Sequence, residues 1–387
     1  MKSSFQSAIV VLLFGLVVLP THAAFNSLYV FGDGLSTTTD NTYPSPSFYG
    51  QRYSNGRVWV EVLAQRQGLV YDASKNNSYF DHNSAITIAD VKNFVPPSDV
   101  ANDLFIVWVC NSDTYDTATA PVPPTFAQWQ AADALSQANH LQIITNLYAK
   151  GVRTLVMPNA VDLSKVPFFD ASPLAPTMSA GCVDYNAKLA STIAQAKALC
   201  PGLKIYTPDF FTLLNNVLTN AASYGLTNAL YNGRSTSAAQ TIPFLTVTNN
   251  PGTNYIYWDA TDPSAKFHAV IADVAQQIIS PVQISGITAL TGSNRLDVVN
   301  VPVGLNGFVE GCTNLTAGDW TTVTNVASTA TAVAVFVPTP PPLGTTKTNV
   351  SGAFASADGP FPGPGGTVVV TALEFYRLQF PYAWSWP

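Results

Sequence analysis

Four aspartates and a serine–histidine pair hold the chemical possibilities of this chain. Asp33, Asp113, Asp259 and Asp262 sit in short polar segments beside apolar runs. Carboxylates gathered at one place can bind a hard cation or divide the work of acid and base. Ser36 and His268 suit another chemistry, in which an imidazole takes the proton of a hydroxyl that attacks a carbonyl. The plainer alternative is that Asp33 and Asp259 accept hydrogen bonds that support the fold. The aspartate spacing matches no metal motif, so neither metal nor cofactor is expected. His82 and His140 read as solvent-facing or core histidines.

The elements that must position these residues are legible over the first two-thirds of the chain. "SLYVFGD", "DLFIVWVC", "RTLVMPN" and "LKIYTPD" are short, nearly continuous apolar runs. Between them "GRVWVEVLAQRQG", "FAQWQAADALSQANHLQIITNLYAKG" and "VDYNAKLASTIAQAKALCPG" carry helical spacing. Strands without alternation, separated by helices, predict a parallel sheet covered on both faces. Ligands of such sheets lie beyond the carboxyl ends of the strands, where the "GD", "CNSD" and "PNAVD" segments fall. From about Gln283 onward the helical pattern stops, and Thr/Val runs alternate with Pro/Gly-rich turns such as "TPPPLG" and "GPFPGPGG". That texture predicts a small all-β sandwich. The C-terminal aromatics, Trp384 and Trp386 among them, are expected to close its core or dock one domain on another.

Composition narrows the partners. Charged residues make up 10% of the chain against a usual ~25%, and the net charge is -6. With no Lys/Arg cluster, neither nucleic acid nor an anionic membrane surface is an expected partner. Residues 1–23 combine Lys2, an apolar run and small residues before Ala24. They read as a cleaved export signal, which makes the mature chain secreted or extracytoplasmic, with no later run long enough to span a bilayer. The expected division is 1–23 signal peptide, 24–282 α/β domain and 283–387 β-sandwich-like module. Cys182 and Cys200 bracket a helical segment and would stand roughly 27 Å apart, beyond the ~7 Å a disulfide allows. Cys110 closes an apolar strand as a buried thiol. Asn76, Asn314 and Asn349 fit the N-glycosylation tripeptide.

Six blocks, in order, resemble the GDSL or SGNH family of secreted lipases, esterases and acylhydrolases over most of Ala24 to Ile279. They are "FGDGLS", "RYSNGRVWVEVLA", "DLFIVWVCNSD", "LYAKGVRTLVMPNAVDLSKVP", "YNAKLASTIAQAKALCPGLKIYTPDFFTLLNNVLTN" and "YWDATDPSAKFH". The resemblance implies a three-layer α/β/α domain with a parallel sheet. It also implies a serine nucleophile opening the first helix, an Asp–His pair, and oxyanion donors from the serine N–H, a glycine N–H and an asparagine side chain. The segments "FVEGCTNLTAGDWTTVT" and "EFYRLQFP" resemble β-modules at the ends of some bacterial secreted proteins.

Carried over residue by residue, the site is degraded. The nucleophile position is Gly34. The second-block glycine falls near Asn83 and Ser84, with Ser84 the candidate. The third-block glycine falls at Cys110 and its asparagine at Ser112, followed by the retained Asp113. In the last block Asp259 is retained and the histidine position is Asp262. On this alignment the site has lost serine-ester hydrolysis, and the protein is expected to bind an acylated small molecule, lipid or glycan without turning it over. Two rivals remain open: hydrolysis relocated to Ser36 and His268, and a surface-anchoring or structural role carried by the β-module. Against relocation, residues two apart on a helix point to different faces.

Overall fold

In the computed structural model of the chain, residues 25–42, 46–248, 251–312, 318, 320–338 and 375–380 are described. The expected signal segment, Asn314, Asn349, Trp384 and Trp386 lie outside them. Among the described residues no helix is long and apolar enough to cross a membrane.

Five parallel strands form the central sheet: β1 (Leu28–Gly32), β2 (Asn76–Ser78), β3 (Leu104–Trp108), β4 (Thr154–Val156) and β5 (Lys204–Tyr206). Their order is β2-β1-β3-β4-β5, and every residue of β3 is buried. The apolar runs did not alternate because both faces are covered. The helices are α1 (Trp59–Arg66), α2 (Ser84–Asn93), α3 (Cys110–Ala118), α4 (Phe126–Ala149), α5 (Ala175–Leu199), α6 (Phe210–Thr219), α7 (Ala238–Thr241) and α8 (Ala265–Ile279). From β1 the chain first runs outward to β2 and then back past β1 to β3. Right-handed crossovers therefore leave α1 on one face, where it packs with α8, and α2, α4 and α5 on the other. Close packing of the second layer depends on Gly181: a Cβ there would lie 2.4 Å from the Trp129 ring.

Reversal of direction at β1 makes the gap between the carboxyl ends of β1 and β3 the topological switch point, the place where open α/β sheets bind ligands. Two of the aligned blocks, "FGDGLS" and "VCNSD", end there.

The rest of the chain is antiparallel. A short hairpin, β6 (Leu230–Tyr231) and β7 (Arg234–Ser235), projects from the α/β region. Beyond α8 come β8 (Gln283–Leu290), β9 (Ser293–Val299), β10 (Gly307–Cys312), β11 (Thr321–Val326), β12 (Ala332–Pro338) and β13 (Phe375–Gln379). They form two three-stranded sheets, β12-β9-β8 and β11-β10-β13. Leu296, Val298, Val335 and Val337 of one sheet and Val309, Val326 and Leu378 of the other share one core, through the two-residue alternation a half-buried sheet requires. The β-region meets α1 through Arg66. Its Nη1 donates to the Val303 carbonyl at 3.0 Å, its own carbonyl accepts from Val303 N–H at 3.1 Å, and its Nε donates to Asp273 of α8 at 2.6 Å.

Several local expectations change. Cys110 does not close a strand: it opens α3, buried, with its thiol directed at the Pro158 carbonyl. Cys182, inside α5, and Cys200, which caps its C-terminal end, are unpaired buried thiols, as expected. Asn76 lies buried in β2 and donates to Ser36 O and Tyr71 OH, so its glycosylation tripeptide is closed to modification.

Candidate active site

Gly34 lies at the switch point, but on a turn closed by Ser36 N–H donating to Asp33 O (3.0 Å). The first helix begins only at Trp59. A Cβ added at Gly34 would meet Phe80 Cδ2 at 3.4 Å and Tyr53 Cδ2 at 3.7 Å, ordinary van der Waals contact, and no left-handed backbone demands a glycine here. The position has room for a side chain.

Asp33, one residue earlier, donates its N–H to Trp108 O, tying β1 to β3, and accepts at Oδ1 from Leu35 N–H (3.1 Å). It is 2% exposed and its Oδ2 has no hydrogen-bond partner. Burial pushes its carboxyl up to about 7, against the pull of the nearby Asn111 amide and Ser112 N–H. Asn111, which the alignment passed over in favour of Ser112, is the residue whose amide enters this space. Its Oδ1 accepts from Val161 N–H at 3.1 Å, while its Nδ2 is buried without a partner. The signal was in the sequence, one residue before Ser112. Ser112 itself is buried.

The segment against Gly34 is Phe80, whose Cα would be 3.7 Å from that added Cβ; Ser84 is held elsewhere. Ser84 N–H donates to Asp113 Oδ1 (2.9 Å) and its Oγ accepts from Asn139 (3.1 Å). Asp81, three residues before Ser84, has φ +64°, a conformation that ordinarily favours glycine. Phe80 N–H is committed to Asp40 Oδ2 at 2.8 Å. Asp113 accepts further from Tyr185 OH (2.6 Å) and lies 3.2 Å from His140 Nε2. Burial raises its pKa, but the hydrogen bonds from His140, Tyr185 and Ser84 outweigh that and hold it below the usual carboxylate range. His140 is therefore a core residue, and His82 is partly buried beside Asp90 (3.4 Å).

At the opposite wall Asp259 Oδ1 accepts from the N–H groups of Thr261 (2.9 Å) and Asp262 (2.7 Å), closing a tight turn. Thr261 Oγ1 donates to Asp262 Oδ2 at 2.8 Å. Burial raises both carboxyls, and for Asp262 the neighbouring Asp259 adds to it. Two like charges this close cannot both ionise, so the pair retains a proton.

Ser36 and His268 are not brought to the cleft surface. Ser36 is fully buried and its Oγ accepts from Trp59 Nε1 (3.0 Å). His268 is 1% exposed, its Nδ1 accepts from Trp59 N–H (3.3 Å), and burial pushes its pKa down to about 3. Both fasten α1 to the sheet and to α8. Among the described residues no group of three or more His, Cys, Asp or Glu side chains is placed to hold a metal ion. A separate open groove of about 1050 Å³, lined by Lys165, Asp170, Ser179, Asp184 and Arg234, excludes all of these residues.

Comparison with known proteins identifies the family. The sequence profile described as GDSL-like Lipase/Acylhydrolase matches residues 28–275. The chain is 22% identical over 326 residues to the GDSL esterase/lipase At5g42170 of Arabidopsis thaliana, covering 67% of this chain and 87% of that protein. It is 24% identical over 225 residues to the GDSL esterase/lipase At1g71691 of the same plant, covering 53% and 55%. Among solved structures, Axe2, an acetylxylan esterase from Geobacillus stearothermophilus, aligns at 13% identity and TM-score 0.40, over 67% of this chain and 96% of that one. LAE5, an alpha/beta hydrolase enzyme from the metagenome of Lake Arreo, aligns at 12% and 0.39, over 67% and 98%. Ester hydrolysis is the activity of that family at large. The profile match extends over more than half of the sequence, from β1 into α8, and the chain belongs to the GDSL-like lipase/acylhydrolase family.

Proposed function

We propose that this protein is a secreted, non-catalytic member of its family that binds a ligand in the inherited cleft. The observation that carries the reading is Gly34: the nucleophile's place at the switch point holds no side chain, although a side chain fits. Losing a nucleophile alone costs on the order of a millionfold in kcat in a serine hydrolase. No substitute stands nearby, because Ser36 and His268 each bind Trp59 inside the core. The candidate backbone donors are committed as well, the Ser84 N–H to Asp113 and the Phe80 N–H to Asp40, which leaves the Asn111 amide as the uncommitted donor facing this space. In the same proposal residues 1–23 are removed on export, 24–282 form the ligand-binding domain and 283–387 an appended β-module. An acylated small molecule, a lipid or a glycan is the ligand class that family membership suggests.

The test is turnover of p-nitrophenyl acetate and butyrate by the purified protein and by the double variant Gly34→Ser/Asp262→His. Silence from the wild type with slow turnover by the variant is the expected outcome. Wild-type turnover abolished by Ser36→Ala in a folded protein would overturn the reading.

A further inference from the structure

The open groove of about 1050 Å³ that stands apart from the cleft is built on one face of α5. Ala175, Ser179, Ala180, Val183 and Ala187 recur there at helical spacing, so the floor runs about 18 Å along the helix axis. Val183 is 53% exposed, and the half-exposed Phe126, at the start of α4, completes the apolar lining. The floor offers a ligand few hydrogen bonds. Ser179 Oγ donates to Asp162 Oδ2 (2.9 Å) and Ser164 Oγ to Asp162 Oδ1 (2.6 Å), so both hydroxyls are committed to a buried carboxylate.

Charge gathers toward the amino end of α5. Lys165 follows Ser164 on this lining, and Arg234 enters it from the β6–β7 hairpin. Both are exposed, and among the described residues neither side chain is hydrogen-bonded or ion-paired. Of the two acids on the lining, Asp184 is paired with Lys188 one turn further along α5, while Asp170 sits in the field of Arg234. Two cations therefore face one acid. The amino end of α5, which no side chain caps, adds positive potential at the same place. A cation would be repelled here, and a sugar would lay its hydroxyls on alanine and valine without partners. An inorganic anion would meet the charge but leave the apolar floor in water. An alkyl chain with an anionic head satisfies both halves. A single surplus positive charge matches a monoanion, and the planar fork of Arg234 matches a carboxylate.

We propose that this groove is a second binding site, separate from the inherited cleft, that takes an alkyl carboxylate with its head at Lys165 and Arg234 and its chain along Ala180, Val183 and Ala187. The groove is of the size that small-molecule sites have. Its openness to solvent fits a flexible chain that is laid down rather than enclosed, and the inference does not depend on whether the cleft is catalytic.

The experiment is calorimetric titration of the full chain, below micelle-forming concentrations, with three probes: decanoate, decyltrimethylammonium with a chain of the same length and the opposite charge, and glucuronate with the same head on a hydroxylated body. Decanoate is expected to bind about tenfold more tightly than decyltrimethylammonium and on the order of a hundredfold more tightly than glucuronate. Lys165→Gln and Arg234→Gln should each weaken decanoate about fivefold. Val183→Asp, which places an acid on the apolar floor, should weaken it about tenfold. All three positions are exposed, so melting temperature should hardly move. Equal binding of the two decyl compounds, glucuronate binding as tight as decanoate, no binding of decanoate, or indifference to all three variants overturns the inference. Phe80→Ala, in the wall of the cleft, should leave decanoate affinity unchanged. A loss there with none at Val183 would place the ligand in the cleft and overturn the second site.

Discussion

Ser36 Oγ accepts the Trp59 indole proton inside the core, so its chemistry is spent on packing. Ser36→Ala leaves that N–H buried and unsatisfied and should cost about 1–3 kcal/mol in urea unfolding, with no effect on ligand affinity. A loss of affinity at unchanged stability would return Ser36 to the cleft. That position 34 of the first aligned block is a glycine was readable from residue identity alone. The roles of Ser36, His268 and Asn111 were not, because they depend on which way a side chain turns and what covers it. Which residue of the segment before α2 meets Gly34 was not legible for a related reason: β2 is the polar run Asn76–Ser78, and the register of a strand polar on both sides is weakly specified. Only the φ of Asp81 and the contact of Phe80 with Gly34 mark the segment that meets the switch point.

At the scale of elements, α1 is a short strut joined at both ends. Trp59 begins it, bonded to Ser36 and His268, and Arg66 ends it, bonded to Asp273 and Val303. Arg66 and Asp273 are both buried. Removing one partner of a buried pair typically costs about 3–5 kcal/mol, whereas a packed apolar replacement of the whole pair is often neutral. Arg66→Ala is thus expected to lower stability by that amount, and Arg66→Met with Asp273→Leu to recover most of it in chemical denaturation. Equal loss in both variants would show that packing, and not the stranded carboxylate, sets the cost. The strut as a helix was visible in "VWVEVLAQRQ", and so were α4 and α5. That Arg66 faces α8 and the β-region was not, since a basic residue at a helix end reads equally well as a solvated dipole partner.

For the whole molecule, the buried acids decide how stability follows pH. Asp33 and Asp133 are raised to about 7, and Asp103 and Asp116 to about 6, burial being the main cause in each. The folded chain therefore holds protons that the unfolded chain releases above pH 3.8, so stability rises as pH falls from 8. His268, depressed to about 3, acts in the opposite sense below 6.5 but is a single group against four. Asp72, Asp113, Asp184 and Asp209 are lowered, and their contributions disappear near and below pH 3.8. The melting temperature is expected to peak near about pH 5 in a scan from 4 to 9, and Asp33→Asn should flatten the alkaline limb. A melting temperature that climbs steadily from pH 5 to 8 would contradict the assignment of these acids as buried and charged at a cost. The attachment of the β-region bears on handling as well as on folding. It grips α1 at Arg66, about 10 Å along that helix from Trp59. A load on the β-region is therefore felt at the Arg66 clamp, at the far end of α1 from Trp59, so a surface or a fusion partner that pulls on this region should strain the Arg66–Asp273 and Arg66–Val303 contacts first.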